Sequence, residues 1–325
     1  MKGGLLQVFV NDPEKWFSGA ELAAEMGISR SAVWKQIEGL RAQGLAIEAA
    51  PRKGYRLSAE ANLLNAVAIQ ASLDENKPFQ LMYQPTIDST NKKAAELAGE
   101  GAPEWTTVVA DSQSAGSGRR GRHFYSPAGV GIYMTVILRP QVAAEEATLL
   151  TMAAALAVAE TAEAFSEEKM GIKWVNDIYR GQAKIAGILT EAALSLEEKS
   201  LRWAVVGIGL NVYPHANEAG QGYGSLFDGP REDPLLRSKM AASILDRLYT
   251  YTQALSDRPY LEGYRDRLFF LNKPADLVTL RDRRTVIPRD VDEMGHLIIE
   301  NEAGRRETIS TGEISLRPHE LGELS

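Results

Sequence analysis

Apolar positions along the chain fall into three regimes, and each predicts different elements. Over residues 1 to about 58, Leu22, Ala23 and Met26 follow Ser18 at helical spacing, with Glu21 completing a capping box. Gly27 stops that helix. Ser29 caps a second helix whose Val33, Ile37 and Leu40 share one face, and Gly44 ends it. Helix, glycine turn and helix form a helix-turn-helix. The stretch LAIEAAPRKGYRLS then predicts two short strands around a turn at Arg52, Lys53 and Gly54, the wing of a winged helix.

The second regime mixes periods. LMYQPTIDSTNKKAAELA runs from a strand into a helix capped by Asp88-Ser89-Thr90-Asn91, and TTVVADSQ is a strand. A Gly/Arg loop returns as a long strand, FYSPAGVGIYMTVIL. EEATLLTMAAALAVAETAEAF is apolar on nearly every side and predicts a helix buried against a sheet. GIKWVNDIYRGQAKIAGILTEA predicts two strands around Arg180-Gly181, RWAVVGIGLNV another, and about Leu235 to Leu255 a final helix. Strands paired in hairpins with helices between them predict an α+β domain built on a mixed sheet. The third regime, from residue 272, alternates apolar and polar positions around turns at Asp282-Arg283 and Met294-Gly295, the pattern of a small SH3-like β-barrel. The division is therefore 1–60, 65–270 and 272–325, and 325 residues suffice for it.

Composition narrows the chemistry. The chain has no cysteine, which removes disulfides, thiolate nucleophiles and Cys-based zinc sites. The four His (123, 215, 296, 319) have no metal-ligand spacing. No apolar run approaches the roughly 20 residues of a bilayer span, and MKGGLLQVFVNDPEKW lacks the form of a signal peptide, so a cytoplasmic protein with no membrane partner is expected. The net charge is −7, yet residues 1–58 carry eight Lys/Arg against six Asp/Glu. A mildly basic head on an acidic body is expected when only the head meets DNA. On the second helix Ser29, Arg30, Ser31, Trp34 and Lys35 lie away from the apolar face and suit a major groove, with Arg52 and Lys53 of the wing on phosphates. The competing reading is a three-helix interaction module with a solvated charged face and Trp34 at its core margin.

Three segments of the body could carry chemistry. Gly116-Ser117-Gly118-Arg119-Arg120-Gly121-Arg122 formally matches a dinucleotide fingerprint, but it leads into a strand rather than a helix. An acidic ribose ligand is also missing some 20 residues on, where Arg139-Pro140-Gln141 stands. What remains is glycine backbone and three guanidinium groups, which match phosphate and carboxylate oxygens in bidentate fashion. Lys184 sits in an apolar strand, where an inward ammonium needs an anionic partner. Alternation alone equally allows it to face solvent. Finally, the alternate glycines of Gly207-Ile208-Gly209-Leu210-Asn211 would let a flat ligand lie on the strand, with Asn211 against a purine edge.

Together DSTN (88–91), GSGRRGR (116–122), KWVND (173–177), KIAGIL (184–189), GIGLN (207–211) and GEISLR (312–317), in this order behind a winged helix, resemble the bifunctional biotin–protein ligases that also repress the biotin operon. The resemblance spans nearly the whole chain. It implies that biotin and ATP, with Mg²⁺ bridging the phosphates, condense to biotinyl-5′-adenylate. Biotin then passes to a lysine of the biotin carboxyl carrier domain of acetyl-CoA carboxylase. By the same resemblance Ser89, Thr90, Asn91 and Gln113 surround the biotin ring while Gly116, Ser117 and Gly118 close over it. Arg119, Arg122 and Lys184 hold the carboxylate and α-phosphate as the catalytic set. Phe124, Asn176, Asp177 and Asn211 meet the adenylate, and Glu313 and Arg317 reach the site from the C-terminal domain. The adenylate acts as corepressor, promoting a homodimer on two-fold operator DNA. The sequence departs from the family pattern at Ser117, Val175 and Phe124, where Arg, Pro and Trp are usual. Two other readings remain: a ligand-sensing repressor whose GSGRRG loop binds NAD(H), and a lipoate–protein ligase sharing the catalytic fold.

Overall fold

A computed structural model describes residues 4–42, 45–74, 76–195, 200–215, 223–278, 283–310 and 315–318; the side chains of Arg120, Ser195 and 315–318 lie outside that description. The N-terminal unit comprises α1 (Leu5–Asn11), α2 (Gly19–Met26), α3 (Arg30–Ala42), β1 (Ile47–Ala50) and β2 (Gly54–Leu57). Both bonds of the Ser18 capping box are made, at 2.7 and 3.1 Å, and Gly27 closes α2 at φ 67°. Val33 and Ile37 are wholly buried with Leu22 and Phe9. Helix α1 goes beyond the sequence-based expectation; the i, i+3, i+4 spacing of Leu5, Val8 and Phe9 was its signal. The predicted stop at Gly44 lies outside the described residues. Phe17 and Tyr55 exchange backbone hydrogen bonds of 2.8 and 2.9 Å, which pins the wing to the segment before α2. That approach requires Gly54, at φ 103°, because a Cβ there would lie 2.1 Å from the Phe17 carbonyl oxygen.

The body begins with α4 (Ala66–Gln70), capped by the Asn65 side chain at 2.9 Å. Its sheet is built from β3 (Gln80–Ile87), β4 (Thr106–Gln113), β5 (Gly131–Leu138), β6 (Gly171–Lys173), β7 (Asp177–Arg180), β8 (Ala183–Ser195) and β9 (Ser200–Asn211), in the order β3-β4-β5-β9-β8-β7-β6. Only β3 and β4 pair in parallel, joined through α5 (Thr90–Gly99), so the sheet is mixed as expected. Helix α6 (Ala147–Ser166) buries 14 of its 20 residues, which explains its unbroken apolar surface. Residues Ala144–Ser166 are long and apolar enough to cross a membrane, by length and composition, but 78% of the most apolar stretch is packed inside the protein. Helix α7 (Leu236–Gln253) packs beside α6, and α8 (Leu261–Arg265) follows.

Two predicted strands differ in extent. The strand after the Gly/Arg loop starts at Gly131, not near Phe124, and Trp174-Val175-Asn176 form a turn that splits 171–180 into the hairpin β6–β7. The C-terminal unit is a five-stranded antiparallel sheet of β10 (Ala275–Val278), β11 (Arg283–Val291), β12 (Leu297–Glu300), β13 (Arg306–Ile309) and β14 (Ser315–Pro318), ordered β13-β12-β11-β10-β14. A bulge between Pro288 and Asp290 lets β11 serve both halves, as in small barrels, although no pairing between β13 and β14 closes one among the described residues.

Arg237 of α7 joins head, linker and sheet. It is 3% exposed and donates to Asn62 Oδ1 at 2.7 Å, the Asn62 carbonyl at 2.5 Å, Asp111 Oδ1 at 2.7 Å and the Gly131 carbonyl at 3.0 Å. Beside it Leu63 N–H donates to the Pro234 carbonyl at 2.7 Å, and Leu235 packs in the head's core.

Candidate active site

The Gly/Arg loop folds back on itself. Gly118 N–H donates to the Arg122 carbonyl at 2.7 Å and Phe124 N–H to the Gly116 carbonyl at 2.8 Å, around a single 3-10 turn at Arg119–Gly121. The Gly118 amide is therefore engaged within the loop rather than presented to a ligand. Gly116 is buried, and a Cβ there would lie 2.5 Å from the Phe124 carbonyl oxygen. Ser117, whose Oγ donates to the Ala115 carbonyl at 3.3 Å, lines the cleft.

Opposite the loop, the turn between β6 and β7 supplies two acceptors to two cations. Arg119 Nη1 donates to Asn176 Oδ1 at 2.9 Å, and Lys184 Nζ donates to Asp177 Oδ1 at 2.6 Å. Lys184 faces inward, with both members of its pair about four-fifths covered. Asn176 is itself fixed to β8: its Nδ2 donates to the Ile188 carbonyl at 3.0 Å and its carbonyl accepts from Ile188 N–H at 2.9 Å. The cleft so formed is about 830 Å³, counting space open to solvent. Ser117, Gly118, Arg119, Arg122, Phe124, Asn176, Asp177 and Lys184 line it, together with His123, Lys173, Trp174 and Tyr223. Burial, then the Asp177 charge, pushes the Tyr179 phenol behind this turn up to about 12.

A smaller hollow of about 310 Å³ adjoins it, lined by Ser89, Thr90, Asn91, Gln113 and the glycines of β9, and sharing Ser117, Phe124, Gly187 and Leu189 with the cleft. Its polar groups are held in a network. Gln113 Oε1 accepts from Thr90 N–H at 2.8 Å and Thr90 Oγ1 at 3.0 Å, and Gln113 Nε2 donates to Ser126 Oγ at 2.9 Å. Thr135 Oγ1, fully buried, lies 2.8 Å from both Thr90 Oγ1 and Asn91 Oδ1. Asn91 Nδ2 donates to the Leu189 carbonyl and Glu191. Ser89 caps α5.

The glycines of β9 have a different use from the one expected. The space above Gly207 is taken by Asn91, whose Oδ1 would lie 1.8 Å from a Cβ there, and that above Gly209 by the Phe124 ring at 2.5 Å. Close packing of side chains, rather than a flat ligand on the strand, requires both glycines. Asn211 lines neither cavity. It is 3% exposed and donates to the Gly224 carbonyl at 3.1 Å, so it fixes the Tyr223-Gly224 segment beside Lys184. Glu313 lies outside the described residues, and Arg317 is described only as a backbone position on β14, paired with Asp276. The sequence reading passed over Trp174, Tyr223, His123, Ser126 and Thr135. Trp174 stood inside a motif already singled out; the others had no local signal.

On the head, Ser29, Arg30, Ser31, Trp34 and Lys35 all lie exposed along α3, with Trp34 at 54%. Trp34 is thus a surface side chain and not a core-margin aromatic. Arg52 and Lys53 are exposed at the wing tip, where Lys53 and Arg56 stand 5.6 and 4.9 Å from the Trp16 ring.

Comparison with known proteins adds to this geometry. The model of the biotin/lipoate A/B protein ligase family matches residues 83–211, and that of an HTH domain matches 5–56. The chain is 41% identical over 219 residues to the bifunctional ligase/repressor BirA of Bacillus spizizenii, covering 67% of each. It is 31% identical over 312 residues to that of Escherichia coli K12, covering 94% of each. A solved structure, the biotin protein ligase from Aquifex aeolicus in complex with biotin and ATP, matches with a TM-score of 0.59 at 24% identity, over 74% of this chain and 99% of that one.

Proposed function

Since this chain belongs to the bifunctional ligase/repressor members of the biotin/lipoate protein ligase family, we propose that it activates biotin with ATP and transfers it to a carrier-protein lysine. The observation that carries this reading is the gathering of Arg119, Arg122 and Lys184 around one cleft beside a small polar hollow. A biotin carboxylate oxygen attacks the α-phosphorus of ATP, the bond to pyrophosphate breaks, and biotinyl-5′-adenylate forms. Two anions must meet, so fixed positive charge and alignment supply the catalysis. Arg119 and Lys184 arrive already oriented by Asn176 and Asp177. Mg²⁺ enters with ATP as part of that substrate, and Asp177, which lines the cleft, is paired with Lys184.

The hollow of Ser89, Thr90, Asn91 and Gln113 takes the ureido ring, with Gly116, Ser117 and Gly118 as its rim. Phe124 borders the adenylate, and the family resemblance assigns Glu313 and Arg317 of the C-terminal segment to the same site. In the second half-reaction the uncharged lysine amine of the carrier domain of acetyl-CoA carboxylase attacks the acyl carbon and AMP leaves. The chain divides at about residues 60 and 271 into reader, ligase and C-terminal domains. Adenylate retention favours a homodimer whose two α3 helices enter a two-fold operator in the cytoplasm, through Ser29, Arg30, Ser31, Trp34, Lys35, Arg52 and Lys53.

Mixing the chain with biotin, ATP and Mg²⁺ should release pyrophosphate and yield the adenylate by mass spectrometry; absence of both overturns the reading. Lys184→Ala should lower that rate at least about a hundredfold with the circular dichroism unchanged. Lipoate should compete poorly, and equal use of lipoate would move the assignment to the sister activity.

A further inference from the structure

The turn that presents Asn176 and Asp177 is held by two side chains whose hydrogen bonds run away from the cleft, Tyr264 from behind and Trp174 from the cleft wall. Tyr264 of α8 is wholly buried, and its hydroxyl donates to the Val175 carbonyl at 3.0 Å. Trp174 is 5% exposed, and its Nε1 donates at 3.0 Å to the carbonyl of Gly295, in the β11–β12 turn of the C-terminal sheet. Asn176 and Asp177, which follow Val175 in the chain, are the acceptors for Arg119 and Lys184. One side of the turn is thus tied to β8 through Asn176 and Ile188, and the other to α8 and the C-terminal sheet.

We infer that Tyr264 is a positioning residue for adenylate formation, acting with Trp174 by fixing the turn that aims Lys184 and Arg119. The inference rests on the ligase reading above. Without the hydroxyl, the Val175 carbonyl loses its buried donor and the turn relaxes. A shift of well under 1 Å at Asp177 then passes directly to the Lys184 ammonium through their 2.6 Å contact. Reactions that align two anions lose rate steeply with such shifts, up to about a hundredfold for 1 Å. The biotin hollow is built from α5, β4, β8, β9 and the Gly/Arg loop, with no residue of α8 or of the 174–176 turn, so ring binding should be spared. A merely structural tyrosine would lower the folded fraction and leave the split between rate and binding unchanged. Burial keeps the phenol far above its ordinary range, so the hydroxyl donates throughout any practical assay.

The test is Tyr264→Phe, with biotin-dependent pyrophosphate exchange, biotin titration and a thermal melt on the full chain. The expected result is a kcat lowered about tenfold or more, a biotin Kd within about threefold, and a pH–rate profile scaled but not displaced. In the Asp177→Ala background the same change should cost less than in the wild type, because the link to Lys184, one of the two it acts through, is already cut. Equal losses in the two backgrounds, an unchanged kcat, or a loss explained by weaker biotin binding would overturn it. If Tyr264→Phe melts below the assay temperature, Trp174→Phe tests the same turn from its other tie, with the same rate–binding split expected and unchanged turnover as the contrary result. A wild-type chain that makes no adenylate would overturn the ligase reading itself, whereas an active wild type with an active Tyr264→Phe overturns only this inference.

Discussion

Asn91 illustrates what a single side chain can hide from sequence. Its place in DSTN marked it as a ring-binding polar group, yet its amide fills the space above Gly207 and ties α5 to β8. Gly207→Ala should therefore push Asn91 aside, weakening biotin binding at least tenfold and lowering stability by about 1–3 kcal/mol, the usual cost of overpacking. A titration and a thermal melt check the two effects, and an alanine variant with native affinity would show the hollow to be looser than its contacts suggest. The inward Lys184 was half legible. Its apolar flanks called for an anionic partner, but only the fold brings Asp177, on the neighbouring strand, to 2.6 Å. The tie from Asn211 to the Gly224 carbonyl was not legible, because alternation gives a residue's face on a strand, not which loop will cover it.

At the scale of elements, whatever is encoded within a few neighbours was legible: the Ser18 box, the Gly27 stop, the Arg52 wing turn, the hairpin at Gly181. The turn at Trp174-Val175-Asn176 was not, because its ties run to Gly295 and Tyr264, 121 and 89 residues away. Another long-range tie predicts a pH response. Glu163 at the end of α6 pays for burial, which disfavours its charge, but hydrogen bonds from Arg267 and the Met170 N–H prevail and hold its carboxyl below the usual range. A carboxyl depressed in the folded state adds stability that is full above its unfolded pKa and fades as pH falls through the folded one. Melting temperature should thus decline below about pH 4.5, and Glu163→Gln, less stable at neutral pH, should show a shallower decline over that window. Parallel curves for the two proteins would rule out this pair as a source of acid sensitivity.

For the whole molecule, the α+β class, the order of three units and the family resemblance were legible because six motifs recur in register. How head and body are joined was not. Residues 58–65 look like an ordinary linker, and nothing local announces that Arg237, some 175 residues on, will clasp Asn62. Arg237→Ala should leave Asp111 without its buried partner and cost about 3 kcal/mol. Calorimetry should also show one transition for the parent chain and two for the variant. A variant that still melts in one step would mean the apolar contacts of Leu63 and Leu235 suffice alone.

The Arg237 clasp also bears on how such a chain can evolve or be engineered. The covalent seam near residue 60 invites exchange of one DNA reader for another, yet the mechanical seam runs through α7 and the end of β4. A transplanted reader would need to bring its own counterpart to Asn62 and Leu63, or arrive with a rebuilt α7. Exchanging the whole head of this chain would therefore disturb the ligase unit behind it, whereas changes confined to the exposed face of α3 would leave the clasp intact.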